Sequence, residues 1–258
     1  MSIKPEFAEE RQNSILSLLK TEEKLLVNEL CEIYGVSPAT IRNDLNTLEK
    51  KGLLKRTHGG AIAKFKIGFE ETSVEKFNML SEQKERIAER AESYIEDGDV
   101  IAIDTGTTAY ALAKMISGKQ KITVVTTDLR IANLLEGYNG VSVVIAGGTV
   151  RKGFGCTVGA VANNVLMAMN VDKVFLATNS VGADGRLSTP DLEQAQIKNS
   201  LIKMGKQVFL ICDSTKFTSS SFAKFGTLDD VDIIITDDGI DEKILSRLTS
   251  AGHIVETV

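Results

Sequence analysis

The sequence predicts an α/β chain in two parts, a small helical domain followed by a larger, mostly parallel α/β domain. Three observations predict it. Residues 7–63 hold three short amphipathic stretches and then two extended runs around Gly59-Gly60. Beyond Ser81, near-continuous apolar runs alternate with helical segments, which is how parallel strands covered on both faces read. At 258 residues the chain is long enough for one small domain plus one ordinary α/β domain.

Taken in order, Ile15, Leu16, Leu18 and Leu19 form one apolar stripe within a first helix at 7–20. A second helix carries Leu26, Leu30, Ile33 and Tyr34 and stops at Gly35, a left-handed cap residue. Ser37 is a good N-cap for a third helix, and Pro38 fits its first position. That helix buries Ile41, Leu45 and Leu48 and stops at Gly52. The tight second-to-third turn makes a helix-turn-helix. Runs at 53–56 and 61–63 flank Thr57-His58-Gly59-Gly60 as a β-hairpin, which directly after the third helix is a wing.

The stretch 64–80 is an irregular connection, and a helix at 81–96 buries Ile87, Ala88, Ala91 and Ile95. Strands are expected at 100–103, 122–126, 141–145, 173–177, 208–211, 233–235 and 254–258. Helices are expected at 108–116, 129–136, 161–169, 192–204 and 241–250. The domains are accordingly 1–63, a linker at 64–80, and 81–258.

Charge narrows the function. The net charge is −5, yet residues 38–66 carry +5, leaving −10 for the remainder. A basic island on an acidic chain is an electrostatic footprint for nucleic acid. A composition of 43% hydrophobic and 25% charged residues is that of a soluble globular protein. The acidic start is wrong for a signal peptide, and no apolar run approaches the ~20 residues that span a bilayer. Cys31, Cys156 and Cys212 are odd in number and lack metal-ligand spacing. They predict buried, inert thiols in a reducing, cytoplasmic compartment, with no metal and no cofactor.

With Ile41, Leu45 and Leu48 inward, Thr40, Arg42, Asn43, Asn46 and Thr47 face outward on the third helix. Arg favours guanine and Asn adenine by bidentate hydrogen bonding in the major groove. Ser37 and the helix N-terminus suit a phosphate, and Lys55, Arg56 and His58 on the wing suit the flanking backbone or minor groove. The alternative for any one of these is a solvated helix face. A tight turn, a capped helix, a wing and a local charge of +5 together favour a double-stranded DNA operator as partner.

In the larger domain, five loops follow apolar strands and carry residues that hold anions and hydroxyls. They are Asp104-Thr-Gly106-Thr107-Thr108, Thr126-Thr127-Asp128, Gly147-Gly148, Gly182-Ala-Asp184-Gly185 with Glu193 beyond, and Asp213-Ser-Thr-Lys216. Open α/β sheets bind ligands at the C-terminal ends of their strands. None of the loops has the GxGxxG or GxxxxGK[ST] spacing.

The stretch Val36-Ser-Pro-Ala-Thr-Ile-Arg-Asn-Asp-Leu, with Arg56-Thr-His-Gly-Gly-Ala beyond it, resembles the signature of the DeoR family of bacterial repressors. Many members have a second Arg where this chain has Asn43, a difference that bears on operator sequence. Asp104-x-Gly-Thr-Thr, Gly147-Gly148, Gly182-Ala-Asp-Gly and Asp213-Ser-Thr-Lys are similar to the family's sensor domain, so the resemblance covers nearly the whole chain. It implies a fold related to ribose-5-phosphate isomerases and CoA transferases. It also implies a phosphorylated sugar effector, pocket residues Asp104, Gly106, Thr107, Thr108, Asp184, Glu193 and Lys216, and control of a carbohydrate catabolic operon. Thr127-Asp128 departs from the Thr-Asn of many relatives, and an added charge there would lower affinity for an anion unless the side chain faces away.

Reading of paired half-sites implies a homo-oligomer, a dimer or tetramer. The alternative function is a phosphosugar isomerase with a DNA-binding appendage, its carboxylates drawn from Asp104, Asp184 and Glu193. The related isomerases follow Gly-Ala-Asp with Lys-Gly-Gly, whereas Arg186-Leu-Ser-Thr-Pro-Asp stands here. The expectation is therefore a regulator without catalytic residues.

Overall fold

In the computed structural model, residues 7–22, 24–51, 53–63, 70, 76, 81–218 and 220–258 are described. The chain divides into two compact units, Met1–Phe69 and Glu70–Val258. Gly52, expected to stop the third helix, lies outside the described residues, as does the connecting stretch 64–80 apart from Glu70 and Lys76.

The first unit runs α1 (Ala8–Thr21), β1 (Lys24–Leu26), α2 (Val27–Tyr34), α3 (Pro38–Lys50), β2 (Leu54–Thr57) and β3 (Gly60–Ala63). Ile15, Leu19, Leu30, Tyr34, Ile41, Leu45, Leu48 and Leu54 share one core. Gly35 ends α2 in the left-handed region at φ 67°, and Ser37 caps α3 by accepting the Thr40 amide. The strand β1 was not expected. It pairs antiparallel with β3 and makes a three-stranded sheet in the order β1-β3-β2. It also corrects the inner face of α2. Leu26 belongs to β1 and is exposed, as is Ile33, while Val27 is buried in their place. A three-residue strand has no visible period, so Lys24-Leu-Leu reads as the first turn of a helix.

β1 explains the paired glycines of the wing. Gly59 has φ 106°, open to glycine, and a Cβ on Gly60 would lie 2.1 Å from the Leu25 carbonyl oxygen.

The second unit is built on a parallel seven-stranded sheet. Its elements are α4 (Ser81–Glu92), β4 (Val100–Ile103), α5 (Thr107–Met115), β5 (Ile122–Thr126), α6 (Leu129–Leu135) and β6 (Val141–Ile145). A hairpin of β7 (Thr149–Arg151) and β8 (Cys156–Val158) precedes α7 (Ala160–Met167) and β9 (Val171–Leu176). Then come β10 (Ser180–Val181), β11 (Arg186–Thr189), α8 (Leu192–Met204), β12 (Gly205–Ile211), β13 (Ala223–Thr227), β14 (Ile233–Thr236), α9 (Glu242–Ser250) and β15 (Ile254–Thr257). The order is β15-β14-β12-β9-β4-β5-β6, with every neighbouring pair parallel.

Alternation along the strands splits the core in two. Ile101 and Ile103 pack on one face with Ile87, Ala88 and Ala91 of α4 and with Leu112 of α5. Ala102 packs on the other with Leu166 of α7 and with Ile197 and Leu201 of α8. At the centre, Phe175 and Phe209 of neighbouring strands stack with ring centroids 5.1 Å apart. A second sheet, β10-β11-β13, is antiparallel and lies over α8 through Val181, Leu187 and Phe225. It was missed, as was the β7–β8 hairpin, because their strands are two to five residues long and rich in Ser, Thr and Arg.

A Gly60→Ala substitution should destabilise the first unit by about 1–3 kcal/mol, the cost of forcing atoms into a filled space. Amide hydrogen exchange on the full chain measures this. Faster exchange is expected in α1–α3 with the seven-stranded sheet unchanged, and equal protection of α1–α3 would contradict the β1 contact.

Candidate nucleic-acid interface and effector site

In the first unit, α3 presents Arg42 and Asn43 to solvent, with Thr40, Asn46 and Thr47 half-buried beside them. The Ser37 hydroxyl accepts the Thr40 amide at 3.2 Å and lies 2.9 Å from its hydroxyl, so it is occupied as a cap. Arg56 reaches back from β2: its Nη1 donates to Asn46 Oδ1 at 2.5 Å, while its amide donates to Glu49 Oε1. These bonds fix the wing against α3. Lys55 is half-buried in β2 and His58 is exposed on the turn. Ser37, Arg42, Asn43 and His58 are thus exposed, and Asn46 and Arg56 hold one another.

Sequence reasoning missed the role of Asp44. It is buried, with Arg11 Nε 2.6 Å from Oδ2 and Gln12 Nε2 3.1 Å from Oδ1. The pair ties α3 to α1 and removes one of the two negative charges from the basic island. The signal was available, since a carboxylate between Asn43 and Leu45 falls on the inward side of the helix.

In the second unit, the loops at the C-terminal strand ends fall into two kinds. Asp128, Asp191 and Asp241 cap α6, α8 and α9 with their own side chains. By contrast α5 and α7 begin on Gly106 and Gly159, at φ 139° and 92°, with no side-chain cap. Both glycines lie in backbone territory that L side chains essentially never occupy. A helix start without a side-chain cap is one at which an anion can bind.

Thr107 and Thr108 open α5, Thr107 half-buried and Thr108 buried. Gly147 and Gly148 follow β6, and Glu193 Oε1 would lie 3.6 Å from a Cβ on Gly159. Lys216, half-buried on the turn after β12, pairs with Asp213 at 3.3 Å. Burial works to raise the Asp213 carboxyl, but Lys216, Thr215 and Lys84 outweigh it and hold it below its ordinary value. Asp184 stands apart, exposed on the β10–β11 turn and paired with Arg186 at 3.4 Å.

Asp104 has no exposure. Oδ1 accepts the Thr105 amide, while Oδ2 accepts the Ala177 amide and Lys198 Nζ. It braces the loop from inside. Thr127 is also buried. Asp128 is buried as well, accepting the Thr105 hydroxyl at 2.8 Å and pairing with Arg130 Nη2 at 2.7 Å. Its added charge is therefore neutralised and faces away from solvent. Lys198, Arg130 and Thr105 were missed, because the partner of a buried carboxylate lies far along the chain or carries no motif. Burial pushes the Cys156 thiol up to about 11 and also raises Cys212. Among the described residues no group of three His, Cys, Asp or Glu could hold a metal ion, and no helix is long and apolar enough to cross a membrane.

The sequence model of the DeoR-like helix-turn-helix domain matches residues 11–65, and that of the DeoR C terminal sensor domain matches residues 80–238. The chain belongs to the DeoR family. Among similar proteins is the HTH-type transcriptional regulator GlpR of Haloferax volcanii, 33% identical over 95% of this chain and 96% of its own. The glycerol-3-phosphate regulon repressor of Haemophilus influenzae is 33% identical over 92% of each. A putative aga operon transcriptional repressor of Escherichia coli O157:H7 is 31% identical over 94% of this chain and 91% of its own. Ribose 5 phosphate isomerase A from Neisseria gonorrhoeae overlays 58% of this chain and 56% of its own at 17% identity, with a TM-score of 0.41, too loose to bear an argument. This DeoR-family chain is a DNA-binding transcriptional regulator, not an enzyme.

An Asp44→Ala substitution strands the Arg11 guanidinium, which is only 8% exposed. Loss of about 3–5 kcal/mol is expected, the cost of breaking a buried pair from one side. Denaturant unfolding of the full chain checks it, and a loss below about 1 kcal/mol, the range of surface pairs, would show the pair to be dispensable.

Proposed function

We propose that this DeoR-family regulator represses a carbohydrate catabolic operon, and that a phosphorylated sugar bound in its second unit sets its grip on the operator. The observation that carries the effector half is the difference in helix caps. Three helices of the unit cap their first amides with aspartate, whereas α5 and α7 begin on glycines with no side-chain cap. Free amides and the helix dipole favour an anion. The names of the relatives support a phosphorylated polyol or sugar, since one represses a glycerol-3-phosphate regulon.

In this reading two or more cytoplasmic subunits, as a dimer or tetramer, place their α3 helices in adjacent major grooves. Arg42 and Asn43 read base edges, Thr40 and Ser37 meet the backbone at the helix start, and Lys55 and His58 contact it from the wing. Asn46 and Arg56 act as one unit at the base of the wing. The effector meets the starts of α5 and α7, with Gly147, Gly148, Glu193 and Lys216 around it. It shifts operator affinity by as much as its affinity differs between the DNA-competent and DNA-free forms.

Selection of operator DNA from a random pool, then gel-shift titration against a panel of sugar phosphates, tests both halves. Arg42→Ala should weaken operator binding by about 1–3 kcal/mol, the worth of one bidentate base contact. Unchanged affinity would mean that α3 is not the reading helix. Lys216→Ala should leave operator binding intact and raise the effector concentration needed for a response about tenfold, the scale of one charge-assisted contact. A panel with no response in the wild type would remove the effector half of the proposal.

A further inference from the structure

Glu70 opens the second unit, and its side chain is only 10% exposed. Two hydrogen-bond donors and the guanidinium of an ion pair converge on its carboxylate. Arg151 Nη2 lies 2.8 Å from Oε2, Lys76 Nζ lies 3.0 Å from Oε1, and Asn179 Nδ2 donates to Oε1 at 2.9 Å. Burial would raise this carboxyl, but Lys76 and Arg151 outweigh it and keep it below its ordinary value. The group is therefore charged at neutral pH.

Arg151 and Asn179 belong to the rim where an effector is expected. Asn179 follows the C-terminal end of β9, and Arg151 ends the β7 strand that comes after Gly147-Gly148. Both are held in place independently of Glu70. The Arg151 guanidinium lies 3.8 Å over the Phe154 ring, and its Nε is 3.5 Å from Asp191 Oδ2. Asn179 Oδ1 accepts the Thr189 hydroxyl at 2.9 Å. A preset guanidinium, an ammonium and an amide form a donor set that fits the oxygens of a phosphate as well as those of a carboxylate.

We propose that Arg151, Asn179 and Lys76 form an anion subsite of the effector pocket, that Glu70 fills it in the ligand-free protein, and that a phosphate group and Glu70 exclude one another. The inference rests on the effector reading above and adds its trigger. With Glu70 withdrawn, Arg151 and Lys76 each lose a carboxylate partner, and the oxygens of a phosphate can take its place. Glu70 is the residue at which the chain enters the second unit, so its displacement is the step that reports ligand binding toward the DNA-binding unit.

The test is calorimetric titration of the full-length protein with inorganic phosphate at fixed ionic strength. E70Q should bind phosphate about tenfold or more tightly than the wild type, and the gain should vanish in the double variant with R151Q. E70D, its carboxylate withdrawn by one methylene, should show a smaller gain in the same direction and serves if E70Q does not unfold cooperatively. Equal phosphate affinity in the wild type and the folded variants overturns the proposal. So does failure of both variants to fold, since a residue the fold requires cannot exchange with a ligand. The two readings fail separately. Sugar phosphates that release operator from E70Q and wild type at the same concentration overturn the competition alone. Tighter phosphate binding by E70Q, with no operator response to any sugar phosphate, overturns the effector reading alone.

Discussion

Lys198 and Asp104 face one another 2.5 Å apart inside the second unit, both almost without exposure. Asp104 directly follows β4 and Lys198 lies in the middle of α8, 94 residues later. The same ammonium donates to the Ala177 carbonyl at 2.9 Å, and the Ala177 amide returns to Asp104 at 3.0 Å. Two charges and the two peptide groups that flank Ala177 thus join the ends of the two central strands to the helix that covers them. A buried pair of this kind adds little net stability over an apolar substitute, yet loss of one partner leaves an uncompensated charge in the core. Its worth lies in position. It fixes the loop from Asp104 to Thr108 and the loop from Ala177 to Asn179 against a common anchor, and those loops carry the open start of α5 and one donor of the Glu70 cluster.

Much of this architecture was legible in the sequence, and the reason is periodicity. The strands at 100–103, 122–126 and 141–145 and the helix at 192–204 were read with the bounds the structure gives them, because long apolar runs and terminal caps are local signals. Ser37, Pro38 and Gly35 marked the helix-turn-helix for the same reason. β1 and the antiparallel strands β10, β11 and β13 were not legible. Each is short and stabilised by partners distant in the chain, so nothing in its own residues announces it. The site followed the same division. Loops were found by their glycines, threonines and carboxylates, but whether a carboxylate faces a ligand or a buried cation depends on the partner. Asp104 and Asp128 face inward because Lys198 and Arg130 wait there.

The charge pattern needs the same refinement. Counted along the sequence, the basic island includes Asp44 as a negative charge. In the fold Arg11 neutralises it from α1, and Glu49 spends one carboxylate oxygen on the amide of Arg56. The face of α3 that meets solvent is therefore more positive than the count suggests. Asp128 is the corresponding case in the second unit. A charge that reads as unfavourable to an anionic ligand is paired with Arg130 and spent on the first amides of α6.

Helix caps then decide where the second unit is built for stability and where it is left open. An aspartate cap contributes about 1 kcal/mol to a helix, and α6, α8 and α9 each take that contribution. α5 and α7 forgo it, and their glycines add the entropic cost of holding positive φ. The two helices without a side-chain cap follow β4 and β8, and the proposed effector would supply the partner that their first amides lack. The rigid sheet beneath, stacked through Phe175 and Phe209 and anchored by Asp104 and Lys198, is what lets the loops tolerate that deficit. Glu70 fits the same logic at one remove. It gives Arg151 a charge partner from within the chain, so the guanidinium is paired when no ligand is present.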